Sequence, residues 1–170
     1  MSSSLAEYQV RYIYDLPYQQ SNLYLFYKNM RDEDLMELRE LLPRISNGIQ
    51  FYDHIVQNSI HARCLYTDKG DRGIVAIWGV EPDRSCITGQ CWMLLSKYFS
   101  TSIRCKRILL SIFKSQLEFY VKLYGLAIVK NLVHKDNTLH INIIKKLGFT
   151  VNKEKSLRNS NFFSFYKFTR

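Results

Sequence analysis

The residue types that most often carry metal or thiol chemistry are few in this chain and are not grouped. Its 170 residues include four cysteines and four histidines, at Cys64, Cys86, Cys91, Cys105, His54, His61, His134 and His140. A zinc site needs such ligands at short, repeated spacings, and these positions match no such pattern. We therefore expect reduced structural thiols, no disulfide framework and no metal centre.

Positive charge is the chemical feature that the sequence offers in quantity. The net charge is +9, and from Lys97 to the last residue fifteen Lys and Arg stand against three acidic residues, so this segment carries +12 and the first 96 residues carry −3. A segment of this kind suits a phosphate-bearing or acidic partner, whether nucleic acid, an acidic protein or a nucleotide-like cofactor. A solvated basic face is the alternative, and charge alone does not decide between them.

Sequence motifs for several other chemistries are absent. The chain has no G-x-x-x-x-G-K-[ST], no G-x-G-x-x-G, no G-x-S-x-G and no H-E-x-x-H. It begins without the apolar region of a signal peptide, and no apolar run approaches the ~20 residues of a membrane span. With 46% hydrophobic residues the chain can bury a sizeable core. We expect one soluble, cytosolic domain with no membrane partner.

The elements that must position a site alternate between helices and strands. The predicted elements, in chain order, are a strand (7–18), a segment that is helix or strand (22–30), two helices (31–44 and 47–58), a hairpin (62–67 and 73–80), a strand (89–96), a long helix closed by Gly125, and a strand (126–133). The residues predicted to face inward on the first and last of these helices are Leu35, Leu38, Leu41 and Leu42, and Cys105, Ile108, Leu109, Ile112, Phe119, Tyr120 and Leu123.

Residues 133–149 contain the sharpest local pattern. Asp136 and Asn137 can cap a helix start, because a short side-chain oxygen accepts a free backbone N–H there. Apolar residues then recur at helical spacing up to Gly148, which suits a helix stop. Phe149 opens a short strand, and residues 162–168 predict a final one. The whole order predicts a mixed α/β domain with a central sheet.

This order, ending in Asn137, ten residues and then Gly148-Phe149, resembles the GCN5-related N-acetyltransferase (GNAT) superfamily. The resemblance implies an α/β (α+β) fold: a single GNAT-like domain whose central mixed, mostly antiparallel sheet is flanked by helices and contains a splayed strand pair. Residues 1–30 would form an N-terminal extension and first strand, 31–151 the core, and 152–170 a C-terminal strand.

A narrower resemblance is to the GNAT-like internal virion or morphogenesis proteins of short-tailed bacteriophages. The segments NMRDEDLMEL, GIVAIWGVEP and GQCWMLL carry it, through Arg31, Asp34, Glu37, Leu38, Gly79, Val80, Trp92 and Met93. It implies a phage-encoded protein that works in the host cytoplasm or is associated with the virion.

The superfamily resemblance also implies acetyl-CoA as the cofactor. The splayed strand would hold the pantetheine arm and the next helix start the pyrophosphate; the residues at these positions are Met93, Leu94, Leu95, Ser96, Ser102, Arg104, Lys106 and Arg107. Asn137, at the start of the later helix, is a further predicted cofactor contact. Family members usually carry glycines before that helix, but residues 101–107 contain none. Charge from Arg104, Lys106 and Arg107 would have to compensate; the alternative is that these side chains only face solvent.

Acetyl transfer needs a base for the acceptor amine and often an acid for the leaving thiolate. The candidate bases are Glu81, with Asp83 beside it, and His134. Tyr124 is the candidate acid, with Tyr120 and Cys105 as substitutes. The tyrosine usual in the family, four residues before Gly148, is replaced by Ile144, which cannot titrate.

Two functions therefore stay open. One is an N-acetyltransferase that acts on an unknown protein amine. The other is a catalytically silent virion morphogenesis or internal virion protein, or a host-directed effector, whose basic half docks on an acidic protein surface. Nucleic acid is not favoured as the partner, and the oligomeric state is not predicted.

Overall fold

Strands and helices occupy most of the part of the chain that the computed structural model describes, which is residues 8–59, 61–68, 73–84, 87–101, 103–154 and 161–169. Its strands are β1 (Gln9–Tyr12), β2 (Arg63–Thr67), β3 (Gly73–Pro82), β4 (Thr88–Leu95), β5 (Ile128–His134), β6 (Thr150–Asn152) and β7 (Phe162–Phe168). Its α-helices are α1 (Gln19–Lys28), α2 (Asp32–Leu41), α3 (Gly48–Asn58), α4 (Ile103–Tyr124) and α5 (Thr138–Lys146).

The seven strands form one mixed sheet in the order β1-β2-β3-β4-β5-β7-β6. β1 pairs with β2, β2 with β3, β5 with β7, and β6 with β7, all antiparallel. β4 and β5 are parallel, and their ladder runs only from the Thr88–Ile128 pair to the Gln90–Lys130 pair. The predicted fold class, a mixed and mostly antiparallel sheet flanked by helices, is confirmed.

Contacts along the chain group its residues into two compact units. One unit is Met1–Gly79 with Met93–Leu109. Its core includes Trp78 at 1% exposure and Phe51 at 0%, and Phe26 stacks on Phe51 with the ring centroids 6.1 Å apart. The other unit is Val80–Trp92 with Leu110–Arg170. Its core includes the fully buried Val129 and Phe162.

The predicted first strand is shorter than expected. β1 ends at Tyr12, and a 3-10 turn covers Ile13–Asp15. The Ile13 side chain is buried, while Tyr14 is 45% exposed and its hydroxyl donates to the Val56 carbonyl at 2.8 Å. The strand predicted for residues 7–18 was therefore wrong beyond Tyr12, because the chain turns there instead of continuing as a strand.

The helices form where they were predicted, but two of the predicted inward faces need correction. The segment left open between helix and strand is α1, and α2 ends just before Leu42 and Pro43. Leu38 is buried, whereas Leu41, the last residue of α2, is 37% exposed.

On α4, Phe119 and Leu123 are 54% and 57% exposed, not inward as predicted. The residues that this helix buries are Cys105, Leu109, Phe113, Leu117 and Tyr120. This buried line advances mostly by four residues, and the 3.6-residue helical turn therefore places Phe119 and Leu123 on another face.

The helix α5 begins and ends as its sequence predicts. Asn137 is the N-cap, and its Oδ1 accepts the His140 N–H at 3.4 Å. Gly148 follows the helix with φ +80° and Gly125 follows α4 with φ +64°, a left-handed conformation that glycine adopts without strain.

Candidate functional site

The start of α4 concentrates positive charge. Arg104 and Arg107 are exposed, Lys106 is half-buried, and the first turn of the helix contains no acidic residue. Cys105 lies between them and is buried, so the helix period that sends it inward keeps the two arginines at the surface. The free N–H groups of a helix start carry a partial positive charge, and Arg side chains fork onto phosphate oxygens. This first turn has the charge to hold a phosphate group.

The same turn lacks the glycines that would let a backbone cradle close tightly. A 3-10 segment, Lys97–Thr101, leads into the helix, and Ile103 at its first position is 70% exposed. Ser102, another predicted contact, lies outside the described residues. The turn therefore fits a pyrophosphate by side-chain charge rather than by close backbone approach.

The predicted strand residues occupy the end of β4. Met93 and Leu94 are half-buried, and Leu95 and Ser96 are fully buried. The Leu95 N–H donates to Asp34 Oδ2 at 2.7 Å, and the Leu95 carbonyl accepts the Arg31 N–H at 2.9 Å. The Ser96 hydroxyl has no hydrogen-bond partner among the described residues.

Glu81 lies near the end of β3 and is half-buried. Its Oε1 accepts the Trp92 indole N–H at 3.2 Å. One carboxylate oxygen is thus oriented by a fixed donor on β4, and the carboxylate can still accept a proton at its other lone pairs. Asp83 is exposed and accepts a hydrogen bond from the Thr88 hydroxyl.

His134 ends β5 and is only 3% exposed. Its Nδ1 accepts the Asp136 N–H at 3.2 Å and lies 3.8 Å from Asp136 Oδ2, while Phe162 packs edge-on against the ring at 5.2 Å between centroids. Because a backbone N–H donates to Nδ1, the neutral ring carries its proton on Nε2. In that tautomer Nε2 donates a proton and does not accept one.

Tyr124 is the last residue of α4 and is half-buried. Its ring stacks on Tyr120 with the centroids 6.2 Å apart and the planes 10° apart. Asn137 is fully buried and its side chain caps α5, and Ile144, in the same helix, is 8% exposed. The position where the family usually has a tyrosine is thus a buried aliphatic residue.

The predicted residues divide between the two compact units. Met93, Leu94, Leu95, Ser96, Arg104, Lys106 and Arg107 belong to the first, and Glu81, Tyr124, His134 and Asn137 to the second. Each of these residues lies at or near the end of a strand or helix.

Three polar residues that bond the backbone of β4 were not predicted from the sequence to do so. Asp34 and Arg31 bond Leu95, and Asn131 donates from its side chain to the Cys91 carbonyl at 2.9 Å. In the sequence Asp34 contributed to the narrower resemblance to phage proteins, and nothing in its spacing indicates a strand partner. Asn131 did carry a signal, because it and Lys130 are the two polar residues in the predicted strand 126–133.

The cysteines among the described residues are buried. Burial raises the pKa of the Cys64 and Cys91 thiols from the usual 9.0 to about 12, so both stay protonated near neutral pH. Cys105 is 1% exposed. Across the described ranges there is no cluster of three or more His, Cys, Asp or Glu that could hold a metal ion. None of the helices described is both long and apolar enough to span a membrane.

A parallel strand pair whose ladder stops early, a long helix between those strands and antiparallel strands on both sides define the fold of the GNAT acetyltransferases. The chain superposes on a GNAT-family acetyltransferase from Bacillus anthracis with a TM-score of 0.60 and 12% identity, covering 94% of this chain and 92% of that one. It superposes on Ard1 from Thermoplasma volcanium with a TM-score of 0.62 and 12% identity, covering 96% and 99%.

A third similar structure is the Campylobacter jejuni N-acetyltransferase PseH in complex with acetyl coenzyme A, with a TM-score of 0.56, 12% identity and coverage of 96% and 99%. At this identity the likeness establishes the fold. No protein-family model matches the sequence, and no curated protein does.

Proposed function

We propose that this chain binds acetyl-CoA and transfers the acetyl group to an amine of a protein. The observation that carries the proposal is the cationic first turn of α4, the helix that follows β4 and a short 3-10 segment. A solved structure with that fold contains acetyl coenzyme A. The bound thioester would supply an activated acyl group; the chain's own residues would bind, orient and move protons.

Binding would rest on charge at one end and on backbone groups at the other. Arg104, Lys106 and Arg107, with Ser102 and the α4 N-terminus, would hold the phosphates. Met93 would offer peptide groups to the pantetheine arm, and Leu94, Leu95 and Ser96 would line it. Asn137 is committed to its cap, so its contribution would be to fix the start of α5.

Proton transfer would use groups that the chain already orients. Glu81, held by the Trp92 N–H, is the candidate that takes a proton from the acceptor ammonium, which frees the nitrogen lone pair for attack on the thioester carbon. The carbon–sulfur bond then breaks. The Tyr124 hydroxyl would give a proton to the departing thiolate and regain one from solvent, and the second proton of the amine would pass to solvent as the amide forms. His134, whose neutral ring carries its proton on Nε2, would not supply it, because a neutral imidazole is a far weaker acid than a thiol. Holding amine and thioester together would supply much of the rate.

Acetyl transfer can be tested by release of free CoA from acetyl-CoA in the presence of protein and polyamine acceptors. We expect release with a lysine- or N-terminus-bearing acceptor, and a fall of about 10²-fold or more in turnover for Glu81→Gln. Glu118→Gln is the control, since Glu118 is exposed on α4 and has no proposed role, and it should retain activity. Binding of acetyl-CoA without release for any amine would contradict the catalytic part of the proposal.

A catalytically silent protein of the same fold is the second candidate. The buried Ile144 and the glycine-free turn before α4 favour it, because both remove features that acetyltransferases of this fold commonly use. We propose in this case a phage-encoded morphogenesis or internal virion protein, or a host-directed effector, whose basic segment docks on an acidic protein in the host cytoplasm or the virion. The three short segments containing Arg31, Gly79 and Trp92 support the phage assignment.

Proteomics of purified particles against infected lysate tests this candidate. The chain is expected in particles or in assembly intermediates. Its absence from both would remove the virion role, and failure to co-purify with any acidic host protein would remove the effector role.

A further inference from the structure

The junction between α1 and α2 pairs with the chain just where β4 ends. Met30 and Ser96 form an antiparallel bridge. The Arg31 N–H donates to the Leu95 carbonyl at 2.9 Å, and the Lys97 N–H donates to the Asn29 carbonyl at 2.8 Å. The junction therefore acts as a short additional strand on one edge of β4.

Asp34 extends this pairing with its side chain. Its carboxylate is 0% exposed; Oδ2 accepts the Leu95 N–H at 2.7 Å, and Oδ1 accepts from Arg31 Nη1 at 3.2 Å. A buried carboxylate needs such partners, since an unpaired buried charge is costly. Arg31 is itself held by Glu33 at 3.1 Å. Both peptide groups of Leu95 are thus occupied by the α1–α2 junction.

The peptide groups along β4 point alternately to its two edges, and this shows which residue on the Leu95 edge the α1–α2 junction does not bond. The Ser96 N–H donates to the Val75 carbonyl of β3 at 2.9 Å, so Ser96 faces β3 and Leu95 faces the opposite edge. Peptide groups of successive residues in a strand point to opposite edges, so Met93 shares the edge of Leu95, and Leu94 shares that of Ser96. Within the described residues, the α1–α2 junction bonds Leu95 and Lys97 but not Met93.

In the other compact unit, an amide side chain bonds backbone groups where the regular ladder between β4 and β5 stops. The Asn131 Nδ2 donates to the Cys91 carbonyl at 2.9 Å, and Asn131 Oδ1 accepts the Leu132 N–H at 2.8 Å. Asn131, whose side-chain amide makes both bonds, is the residue after Lys130 in the last ladder pair, Gln90–Lys130. It satisfies one backbone group on each strand where the regular ladder stops.

We infer that Asp34 is a positioning residue that closes the edge of β4 at Leu95 and leaves Met93 as the residue whose N–H and C=O an extended, amide-bearing ligand can bond. The identity of the ligand, a pantetheine arm, rests on the proposed function. The closing of the edge of β4 at Leu95 rests on the hydrogen bonds alone. Of the four strand residues predicted to bind the cofactor, Met93 thus supplies the backbone bonds and sets the register of the arm.

Amide hydrogen exchange resolved by NMR tests this in the free protein first. The Leu95 amide should be protected and the Met93 amide should exchange about tenfold faster or more. Asp34→Ala should speed exchange at Leu95 by about ten- to a hundredfold, because a bond to a charged acceptor is lost. The Ser96 amide, bonded to Val75, should keep its rate, which separates a local effect from general destabilisation.

Two further variants make the comparison robust. Asp34→Asn keeps an acceptor oxygen and should give a smaller gain in exchange at Leu95; it carries the comparison if Asp34→Ala does not fold. Asp32→Asn is the matched control, since Asp32 lies in the same helical turn with its side chain 84% exposed. It should leave the Leu95 amide unchanged.

Addition of acetyl-CoA to the wild-type protein should then slow exchange at Met93 and leave Leu95 as it was. The inference is overturned if Leu95 exchanges as fast as Met93, if neither Asp34 variant changes it, or if acetyl-CoA protects Leu95 and not Met93. If acetyl-CoA protects neither while the free protein behaves as expected, the binding proposal fails and the closed edge stands.

Discussion

Gly89 on β4 has no room for a side chain. A Cβ at this position would lie 2.6 Å from Leu126 Cδ1 and 3.3 Å from the Glu81 carbonyl oxygen. Leu126 is 1% exposed and Glu81 belongs to the neighbouring strand, so neither group can retreat freely. The absent side chain lets Leu126, in the turn after α4, and the backbone of Glu81 approach β4 closely at Gly89.

Gly89→Ala should therefore lower the free energy of unfolding by about 1–3 kcal/mol, since extra atoms in a packed site force neighbours to shift. Chemical denaturation measures this. The double variant Gly89→Ala/Leu126→Ala should show coupling, because the first clash is with Leu126. Equal stability of Gly89→Ala and the wild-type protein would contradict the close approach.

The two shielded thiols predict how stability responds to alkali. Burial raises the pKa of Cys64 and Cys91 from 9.0 to about 12, so in the folded protein the neutral thiol persists where the unfolded chain ionises. Between pH 9 and 12 the unfolded state therefore binds fewer protons than the folded state, and the free energy of unfolding falls as the pH rises through that window. Below about pH 9 both thiols are protonated in the folded and the unfolded protein, so their contribution to the free energy of unfolding does not change with pH.

The expected outcome is a decline of the unfolding free energy from pH 9 upward that becomes shallower in Cys91→Ala and in Cys64→Ala. Thermal melts at fixed ionic strength from pH 7 to pH 11 measure it. An unchanged slope in both variants would show that other groups cause the alkaline loss.

At the scale of elements, α5 shows how far local sequence reaches. Its cap, its apolar spacing and its glycine stop are all local, so the sequence predicted them and the structure confirms them at Asn137 and Gly148. The exposed faces of α4 depend on what packs against each turn. Phe119 and Leu123 were therefore placed inward by hydrophobicity alone, which was wrong.

The candidate site likewise contains features that local sequence predicts and contacts that it does not. The cationic turn at Arg104 follows from helix period and residue type, whereas the bond from Asp34 to Leu95 joins residues 61 apart in the chain. No spacing rule connects a helix's first turn to a strand so distant. The role of each predicted catalytic and cofactor-binding residue stays a prediction, as do the single-domain boundaries 1–170.

The cap of α5 allows a test at this scale. Asn137→Ala should lower the unfolding free energy by about 1 kcal/mol, because the His140 N–H loses its acceptor, and Asn137→Ser should keep most of the stability. Urea denaturation measures both. If Asn137 also contacted the cofactor, the serine variant would keep its stability and still lose acetyl-CoA affinity.

For the whole molecule, the charge and the fold both indicate a negatively charged ligand or partner. The segment from Lys97 onward carries +12 of charge, and the start of α4, which a GNAT fold places after β4, lies near its beginning. A basic segment of this kind attracts either the phosphates of a CoA-like ligand or the acidic surface of another protein. The two readings differ in where the attraction is concentrated: at Arg104 and Arg107 in the first, and across the segment in the second.

Titration calorimetry with acetyl-CoA tests the central claim most directly. We predict measurable binding that weakens about tenfold or more in Arg104→Ala/Arg107→Ala, through loss of charge-assisted bonds. Lys114→Ala removes an exposed cation further along α4 and should leave the affinity unchanged. No heat at millimolar acetyl-CoA, or equal affinity in the arginine and lysine variants, would contradict acetyl-CoA binding at the start of α4.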